Sequence, residues 1–318
     1  MTHFDVFNGD ADGICSLQQL RLSNPIKSTL ITGVKRDISL LDRVYGNAGD
    51  QVTVLDISLD KNRTNLQNLL TKGFKIEYFD HHFAGEIPMH PQLFTKIDTS
   101  TNICTSLLVN NHLKNAHLPW AVVGTFGDNL HASAQSAADP LQLSEIQLEK
   151  LCNLGTYLNY NGYGVELSDL LFHPDQLYLK LQPYENPFDF IDSEPAYMQL
   201  QEGYLSDMAA ASKLHPELAE QHIALYILPD LPWARRVSGV FGNQLARENP
   251  DRAHALLTEL SDGGYRISVR APLNKKEGAD TLCREFPTGG GRKAAAGINH
   301  LPIDLYSRFI DKFRAAYQ

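Results

Sequence analysis

The sequence lacks any run of about 18 apolar residues, the length that a membrane-spanning helix needs, so no membrane span is expected. Its first residues, 1–5, lack the basic and apolar regions of a secretory signal peptide. The four cysteines form no Cys-x-x-Cys pair, which argues against a disulfide framework and against a zinc site of paired cysteines. The chain also contains no internal repeat and no low-complexity tract. These absences predict a cytoplasmic globular protein with reduced thiols.

The composition is that of an ordinary globular protein, with 43% hydrophobic and 20% charged residues. The 318 residues are enough for two domains of roughly 100–200 residues each. The net charge of −9 is unevenly distributed, because residues 1–220 contain 14 basic and 27 acidic side chains, whereas residues 221–318 contain 14 and 10. An acidic first part suits a site of metal and carboxylates, and a basic second part suits a partner that carries phosphate.

Short apolar segments alternate with helical patterns through the first part of the chain. Strands are predicted at residues 4–7, 28–34, 51–55 and 75–79. Helical patterns follow the first and the third of these strands. The alternation predicts an α/β protein with a doubly wound, mainly parallel sheet. In such sheets ligands bind at the carboxyl ends of the strands.

Acidic side chains and histidines follow the apolar segments at the points where these end. They lie in Asn8-Gly9-Asp10-Ala11-Asp12-Gly13, in Asp56, in Asp80-His81-His82 and, after the helical or extended segment 118–126, in Gly127-Asp128-Asn129. Parallel strands bring their tips to one edge, where crowded carboxylates need cations to offset their repulsion. Carboxylate and imidazole together suit a divalent transition metal. The alternatives are helix capping by Asp10 and Asp12 and a plain loop at the two histidines.

The last hundred residues predict a second, smaller α/β domain with a mixed sheet. Strands are predicted at 222–228, 253–261 and 265–270, the last two as a hairpin, and helices at 237–247 and 305–317. The glycine-rich segment 288–297 is interpreted as a loop. Its backbone N–H groups at Gly289, Gly290 and Gly291, with the charges of Arg292 and Lys293, could bind a phosphate or a carboxylate. A flexible loop without a ligand explains the same residues.

The order and spacing of these motifs resemble those of the DHH phosphoesterase superfamily. The four acidic motifs occur in the family's order, and residues 289–297 resemble the glycine motif of its DHH-associated domain. The resemblance covers nearly the whole chain. It implies a DHH catalytic domain at 1–190, a connecting helical region at 191–220 and a DHH-associated substrate-binding domain at 221–318.

The resemblance also implies a role for each matching residue. The implied metal ligands are Asp10, Asp12, Asp56, His81 and Asp128, with Asp56 bridging two ions. His82 is implied to lie beside the scissile phosphate as a charge stabiliser or acid, and Asp80 to orient the site. Residues 289–293 are implied to receive the far end of the substrate.

The sequence departs from the family's pattern at two positions. Many relatives carry a histidine, and RecJ-like exonucleases an aspartate, in the first motif where this chain has Asn8. Because a neutral amide is a weak ligand, Asn8 is the poorest of the predicted metal ligands. The distal motif usually has a histidine after its glycines, where this chain has Arg292. Arginine cannot act as an acid or base in water, but it binds phosphate bidentately.

The function that the resemblance implies is that of a metal-dependent phosphodiesterase of the exonuclease type, in which two ions activate a hydroxide. Mn²⁺ is the ion predicted, with Mg²⁺, Fe²⁺ and Co²⁺ as alternatives. The predicted substrates are short oligonucleotides, linear dinucleotides or single-stranded nucleic-acid ends, because no OB-type or regulatory domain is present to hold a long strand. A phosphomonoesterase or pyrophosphatase of the same fold, and a non-catalytic nucleotide-binding sensor, are the alternatives. No membrane partner is predicted, and a homodimer is left open.

Overall fold

A computed structural model describes residues 1–318, which divide into two compact units, Met1–Glu202 and Gly203–Gln318. The division lies inside the connecting region that the sequence predicts at 191–220. None of the helices combines the length and the apolar character that crossing a membrane requires. All four cysteines are free thiols, and Cys15, Cys104 and Cys283 are buried.

The first unit contains a five-stranded sheet in which every pair of neighbouring strands is parallel. Its strands are β1 (His3–Phe7), β2 (Thr29–Ile31), β3 (Gln51–Leu55), β4 (Lys75–Asp80) and β5 (Leu93–Ile97), in the order β2-β1-β3-β4-β5. The predicted α/β class with a doubly wound parallel sheet is confirmed. Strand β5 was not predicted, because it forms the edge of the sheet and its half-exposed residues show no continuous apolar run.

Helices surround this sheet. They are α1 (Ala11–Ser23), α2 (Leu59–Thr71), α3 (Thr105–His112), α4 (Leu118–Gly127), α5 (His131–Ala138), α6 (Glu145–Gly162), α7 (Pro174–Leu181), α8 (Pro187–Ser193) and α9 (Pro195–Ala211). The segment whose type the sequence left open is therefore the helix α4. Residues 120–127 are all buried, since α4 packs against α1, α3, α5 and α6. A helix that is buried on every side has no polar face, so its sequence lacks the helical spacing of polar and apolar residues that identifies a surface helix.

The register of the sheet brings three polar strand ends to one level. Phe7 pairs with Leu55, and Leu55 pairs with Phe79, at the ends of β1, β3 and β4. The order in which the chain adds strands reverses between β1 and β3, because β2 lies beyond β1 whereas β4 and β5 lie beyond β3. Such a reversal leaves a crevice outside the carboxyl ends of the two central strands, where ligands bind in open α/β sheets.

The second unit contains a mixed six-stranded sheet in the order β10-β11-β9-β8-β7-β6. Its elements are β6 (Leu218–Ala219), β7 (Ile223–Leu228), α10 (Pro232–Glu248), β8 (Ala253–Glu259), β9 (Tyr265–Arg270), α11 (Ala279–Arg284), β10 (Gly289–Gly291), β11 (Ala295–Leu301) and α12 (Tyr306–Tyr317). The predicted mixed sheet and the β8–β9 hairpin are confirmed. The interpretation of 288–297 as a loop is wrong, because its glycines form β10 and pair with β11. Glycine has a low propensity for β-strands, so this strand was not predicted from the sequence.

Candidate functional site

Asp10 lies in the turn between β1 and α1, Asp12 lies in the first turn of α1, and both serve as helix caps. Asp10 is the N-cap residue of α1, and its Oδ1 accepts hydrogen bonds from the backbone N–H groups of Asp12 and Gly13, both at 3.1 Å. Asp12 caps a different helix, since its oxygens accept from the N–H groups of Thr105 (2.8 Å) and Ser106 (2.7 Å) at the start of α3. The capping role that the sequence left as an alternative is therefore present, and it fixes both carboxylates in place.

The glycines of this turn are required by close packing. A Cβ atom on Gly9 would lie 2.0 Å from the carbonyl oxygen of Gly33, and one on Gly13 would lie 2.2 Å from that of Asn8. Neither glycine has a positive φ. The requirement for glycine comes from the close approach of neighbouring backbone and not from an unusual backbone conformation.

Asp56 follows β3 and lies in the centre of the cluster. Its φ of 60° places a non-glycine residue in the left-handed region, a strained conformation that is held by the hydrogen bond from its N–H to the carbonyl of Phe79 (3.0 Å). The residue is only 2% exposed. Its Oδ1 accepts a hydrogen bond from the Thr105 hydroxyl at 3.0 Å and lies 3.4 Å from His81 Nε2.

The two histidines after β4 are oriented by different acceptors. His81 donates its Nδ1–H to the carbonyl of Ile103 (3.0 Å), which leaves Nε2 unprotonated in the neutral ring and facing the carboxylates. His82 donates its Nδ1–H to Asp80 Oδ1 at 2.7 Å. Asp80 also accepts from the backbone N–H of His81 (2.9 Å) and therefore fixes the loop as well as the ring. His81 is buried, whereas the side chain of His82 is 35% exposed.

Asp128 lies at the C-cap position of α4 and completes the cluster. Its Oδ2 is 3.8 Å from His81 Nε2, on the same nitrogen that faces Asp56. This Oδ2 is buried and accepts no hydrogen bond. An unsatisfied buried carboxylate oxygen is costly, which indicates that this position is built for an additional cation or donor.

The pKa values of the carboxyl groups reflect their crowding. Burial raises the pKa of Asp56 well above its ordinary value, and the charges of Asp12, Asp10 and Asp128 add to the rise. Burial also raises the pKa of Asp12, an effect that the neighbouring His81 opposes. Asp10 differs: burial acts to raise its pKa, but the Lys35 ammonium beside it brings that pKa below the ordinary value.

Two residues close the side of the cluster at Asp10. Lys35 Nζ lies 2.5 Å from Asp10 Oδ2 and 2.9 Å from Asn159 Oδ1. Asn8 is buried, donates from Nδ2 to the carbonyl of Lys35 (3.3 Å), and has an Oδ1 without a hydrogen-bond partner. The sequence did not identify Lys35 or Asn159 as site residues. The available signal was weak: Lys35 follows the strand β2, whose end lies at the same edge of the sheet.

The residues around Asp56 have the donor set of a divalent-metal site. Ligand atoms of Asp56, His81 and His82 all lie within 4.8 Å of one another, and Asp128 Oδ2 is the orphaned buried oxygen beside them. His81 donates its second ring nitrogen to a backbone carbonyl, the arrangement that orients metal-binding histidines. Oxygen and imidazole ligands together fit Mn²⁺, Fe²⁺ or Zn²⁺. The structure thus brings Asp10, Asp12, Asp56, Asp80, His81, His82 and Asp128 together in one place, although Asp128 reaches it from the end of a helix and not of a strand.

The predicted phosphate-binding residues lie in the second unit, at the β10–β11 hairpin. Arg292 and Ala295 exchange two backbone hydrogen bonds (2.9 and 3.1 Å) that close the turn. Gly291 has a φ of 137°, which favours glycine, and a Cβ there would lie 2.5 Å from the Cα of Ala296. Arg292 and Lys293 are exposed at the tip. Gly289, by contrast, packs closely, since a Cβ there would meet the carbonyl of Cys283 at 1.7 Å.

No protein-family model and no curated protein matches the sequence. Solved structures match it over 99% of its length, all at low identity. An exonuclease RecJ bound to manganese is 16% identical, is covered over 89% of its chain and has a TM-score of 0.59. RecJ in complex with Mn²⁺ from Thermus thermophilus is 17% identical with a TM-score of 0.61, and this chain spans 51% of it. The pGpG-specific phosphodiesterase PggH from Vibrio cholerae is 14% identical, is covered over 100% of its chain and has a TM-score of 0.56.

At these identities the likeness concerns the fold. Because the matches cover 99% of this chain, the likeness includes both units. The motifs that the sequence presents at the ends of β1, β3 and β4 therefore lie in the architecture that their resemblance predicts. The chain has the fold of these RecJ and PggH structures.

Proposed function

We propose that the protein is a metal-dependent phosphodiesterase that hydrolyses short oligonucleotides, linear dinucleotides or single-stranded nucleic-acid ends. One observation carries this proposal. The Nε2 of His81 faces Asp56 at 3.4 Å and the unsatisfied, buried Oδ2 of Asp128 at 3.8 Å, at the strand ends where this fold binds ligands. Burial and mutual repulsion raise the pKa values of Asp56 and Asp12, and a bound cation would offset both effects.

Asp56, His81 and Asp128 are the residues that would hold the cation, and Mn²⁺ is the ion we propose. The chemistry that a divalent cation supplies at such a site is the activation of water near neutral pH and the neutralisation of phosphate charge. Thr105 positions Asp56 through its hydroxyl, and the carbonyl of Ile103 fixes the ring of His81. These contacts hold the ligands in place before any ion arrives.

His82 is the group of the cluster that a substrate phosphate can reach, since its side chain is 35% exposed. Asp80 accepts its Nδ1–H and so orients the ring, which we propose stabilises charge on the phosphate or protonates the leaving oxygen. Asp80 therefore acts as a positioning residue for the His82 ring. Its other oxygen, Oδ2, is buried and has no hydrogen-bond partner.

A short substrate is supported by the comparison with PggH, a phosphodiesterase specific for pGpG. This chain and PggH cover 99% and 100% of one another. The hairpin tip with Arg292 and Lys293 supplies a second cationic group for a phosphate. We therefore place linear dinucleotides first among the proposed substrates.

A matrix of metals and substrates tests the proposal. The purified protein, freed of metal by chelation, is supplied with Mn²⁺, Mg²⁺, Fe²⁺, Co²⁺ or Zn²⁺ and incubated with a linear dinucleotide, a short oligonucleotide or a single-stranded DNA, and the products are identified by mass spectrometry. Metal-dependent release of mononucleotides is expected. Release of inorganic phosphate alone would indicate a phosphomonoesterase, and binding without turnover under every metal would indicate a nucleotide sensor. Either outcome would contradict the proposed phosphodiesterase.

A further inference from the structure

Lys35 is a partly buried cation beside the acidic cluster, and nothing in the proposed chemistry uses it. Its ammonium group is 2.5 Å from Asp10 Oδ2 and 2.9 Å from Asn159 Oδ1, and it lies over the ring of Tyr163 at 5.4 Å from the centroid. A carboxylate, an amide oxygen and an aromatic face are all groups that stabilise a positive charge. The side chain is 23% exposed, and the carboxylate it contacts is 2% exposed.

The backbone around Lys35 is fixed as firmly as its side chain. Its N–H donates to the carbonyl of Gly162 at the end of α6 (2.8 Å), and its own carbonyl accepts from Asn8 Nδ2 at 3.3 Å. An aspartate at position 8 could not donate this hydrogen bond. Asn8 therefore holds the Lys35 segment against the turn through its amide nitrogen, whereas its amide oxygen is neutral and accepts no hydrogen bond.

The contacts of Asp10 leave it little capacity for a metal ion. One oxygen accepts two backbone N–H groups at the start of α1, and the other is paired with Lys35. By contrast, Asp128 retains an oxygen without a partner, and no lysine or arginine contacts Asp56 or Asp128. The Lys35 ammonium thus offsets the negative charge at Asp10. The negative charge at Asp56 and Asp128 remains to be offset by an external cation.

We propose that the Lys35 ammonium takes the place of one of two metal ions, so that the centre binds a single divalent cation, at Asp56, His81 and Asp128. This inference rests on the proposed metal-dependent function and refines it. It disagrees with the two-ion centre that the motifs alone imply, and the disagreement arises from two residues of this chain, Asn8 and Lys35. Asn8 and Lys35 act together, because the side chain of Asn8 holds the backbone of Lys35 in place.

Metal counting tests the inference without relying on activity. Chelator-treated protein is dialysed against Mn²⁺, and bound metal per chain is measured by mass spectrometry, together with the electron paramagnetic resonance spectrum. The wild-type protein should bind one ion and give the six-line spectrum of isolated Mn²⁺. Lys35→Met, combined with Asn8→Asp to restore an acidic ligand, should bind two ions and give the broadened multiline spectrum of a coupled pair. Lys35→Arg, which keeps the charge, should remain at one ion.

The outcomes separate this inference from the proposed function. Two ions, or no ion, in the wild-type protein would overturn the inference, and this measurement does not depend on the folding of a variant. A single ion in the folded double variant, bound as in the wild type, would overturn it as well. Failure of a one-ion wild-type protein to hydrolyse any phosphodiester would overturn the proposed function and leave the role of Lys35 standing. Thermal unfolding with and without Mn²⁺ gives a second readout, since Mn²⁺ should raise Tm more in Lys35→Met than in Lys35→Arg.

Discussion

At the scale of single residues, the site consists of ionisable groups that are fixed before a ligand binds. Asp56 is held in a left-handed conformation by the hydrogen bond to Phe79, and Thr105 fixes its side chain. Strain of about 1–3 kcal/mol at one backbone position persists only when its surroundings determine it fully. Here the surroundings are the ends of β3 and β4, which places the strain at the point where the cluster converges.

Asp56→Asn should abolish most of the activity. The substitution keeps the size of the side chain but removes a charge that faces His81, and it should lower kcat by several orders of magnitude because the cation loses a charged ligand. Steady-state kinetics with a linear dinucleotide and saturating Mn²⁺ measures the effect. Asp42→Asn is the matched control, since the side chain of Asp42 is 54% exposed and lies outside the cluster. Turnover at the wild-type rate in a folded Asp56→Asn protein would contradict the proposal that Asp56 binds the cation.

The two neighbouring histidines should separate into a binding and a catalytic role. His81→Asn should weaken Mn²⁺ binding, because buried Nε2 faces both Asp56 and Asp128. His82→Asn should leave Mn²⁺ affinity within a few fold of wild type and lower kcat by about 10²–10⁴, the usual contribution of general acid–base catalysis. Calorimetric titration with Mn²⁺ and single-turnover kinetics distinguish the two. Equal losses of metal affinity in both variants would mean that His82 is a metal ligand as well.

The sequence predicts which carboxylates and histidines meet, because each follows an apolar segment and parallel strands end at a common edge. It does not predict their supporting partners. The hydrogen bonds of Lys35 to Asn159 and of Thr105 to Asp56 join residues 124 and 49 positions apart in the chain. Such contacts depend on how helices pack on the sheet, and no local pattern of residues records that packing.

At the scale of elements, helix α1 is anchored to β1 by a buried ion pair. Arg21 donates from Nε to Asp5 Oδ2 at 2.8 Å and from a terminal nitrogen to Oδ1 at 2.5 Å, and Ser28 donates to the same carboxylate at 2.6 Å. The pair ties the last turn of α1 to the strand that precedes it. Asp10 caps the first turn of the same helix, so the ion pair also helps to fix the orientation of the helix that Asp10 caps.

Asp5→Asn should destabilise the protein and change its response to acid. Burial acts to raise the pKa of Asp5, but the hydrogen bonds from Arg21 and its neighbours bring it below the ordinary 3.8. A lowered pKa contributes stability that is present above the unfolded value and is lost as pH falls through the folded value. The variant should lose about 3–5 kcal/mol at pH 7, because it leaves Arg21 buried without its partner. The difference from wild type should shrink below pH 3.8.

Urea unfolding at pH 7 and at a series of acid pH values measures this prediction, with Asp42→Asn as the control. The exposed control should match the wild-type midpoint at neutral pH, since surface ion pairs contribute little. A constant difference between Asp5→Asn and wild type at every pH would mean that packing, and not the charge of Asp5, supplies the stability.

Most helices and strands follow from the sequence, and the exceptions have physical causes. Strand β3 begins and ends at the predicted residues 51–55, because its apolar run is continuous and buried. A helix over residues 99–113, capped by one of residues 100–102, is what the sequence pattern predicts, but α3 begins at Thr105, because its cap comes from Asp12 of another helix. Strand β10 consists of three glycines, whose pairing with β11 is decided by the hairpin and not by propensity.

At the scale of the whole molecule, charge is divided between the two units. Residues 1–202 carry 13 basic and 24 acidic side chains, a net charge of −11, whereas residues 203–318 carry 15 and 13, a net charge of +2. The acidic unit holds the cluster that requires a cation. A polyanionic substrate is repelled by uncompensated carboxylates, so it needs positive charge from elsewhere in the chain. The exposed Arg292 at the tip of the β10–β11 hairpin is a candidate source.

Arg292→Ala should raise KM for a linear dinucleotide with a terminal phosphate. The two hydrogen bonds that close the hairpin turn use the backbone of Arg292, so the substitution leaves them in place and removes only the guanidinium. A charge-assisted phosphate contact is worth roughly 1.5–3 kcal/mol, so kcat/KM should fall about ten- to a hundredfold. A minimal chromogenic phosphodiester lacks the second phosphate, and its hydrolysis should change little.

Kinetics on both substrates, with Lys276→Ala as an exposed control in the same unit, separates the role of Arg292 from a general effect of charge. If Arg292 acted only through its long-range electric field, another exposed cation of the same unit would have a similar effect. Arg292→Ala and Lys276→Ala would then lower the activity by the same modest amount, and this loss of activity would disappear at high salt. A cation that contacts the distal phosphate orients the substrate, and its loss persists in KM when salt is added. Equal losses on the dinucleotide and on the chromogenic ester would contradict a distal contact and would assign Arg292 to the support of its own hairpin.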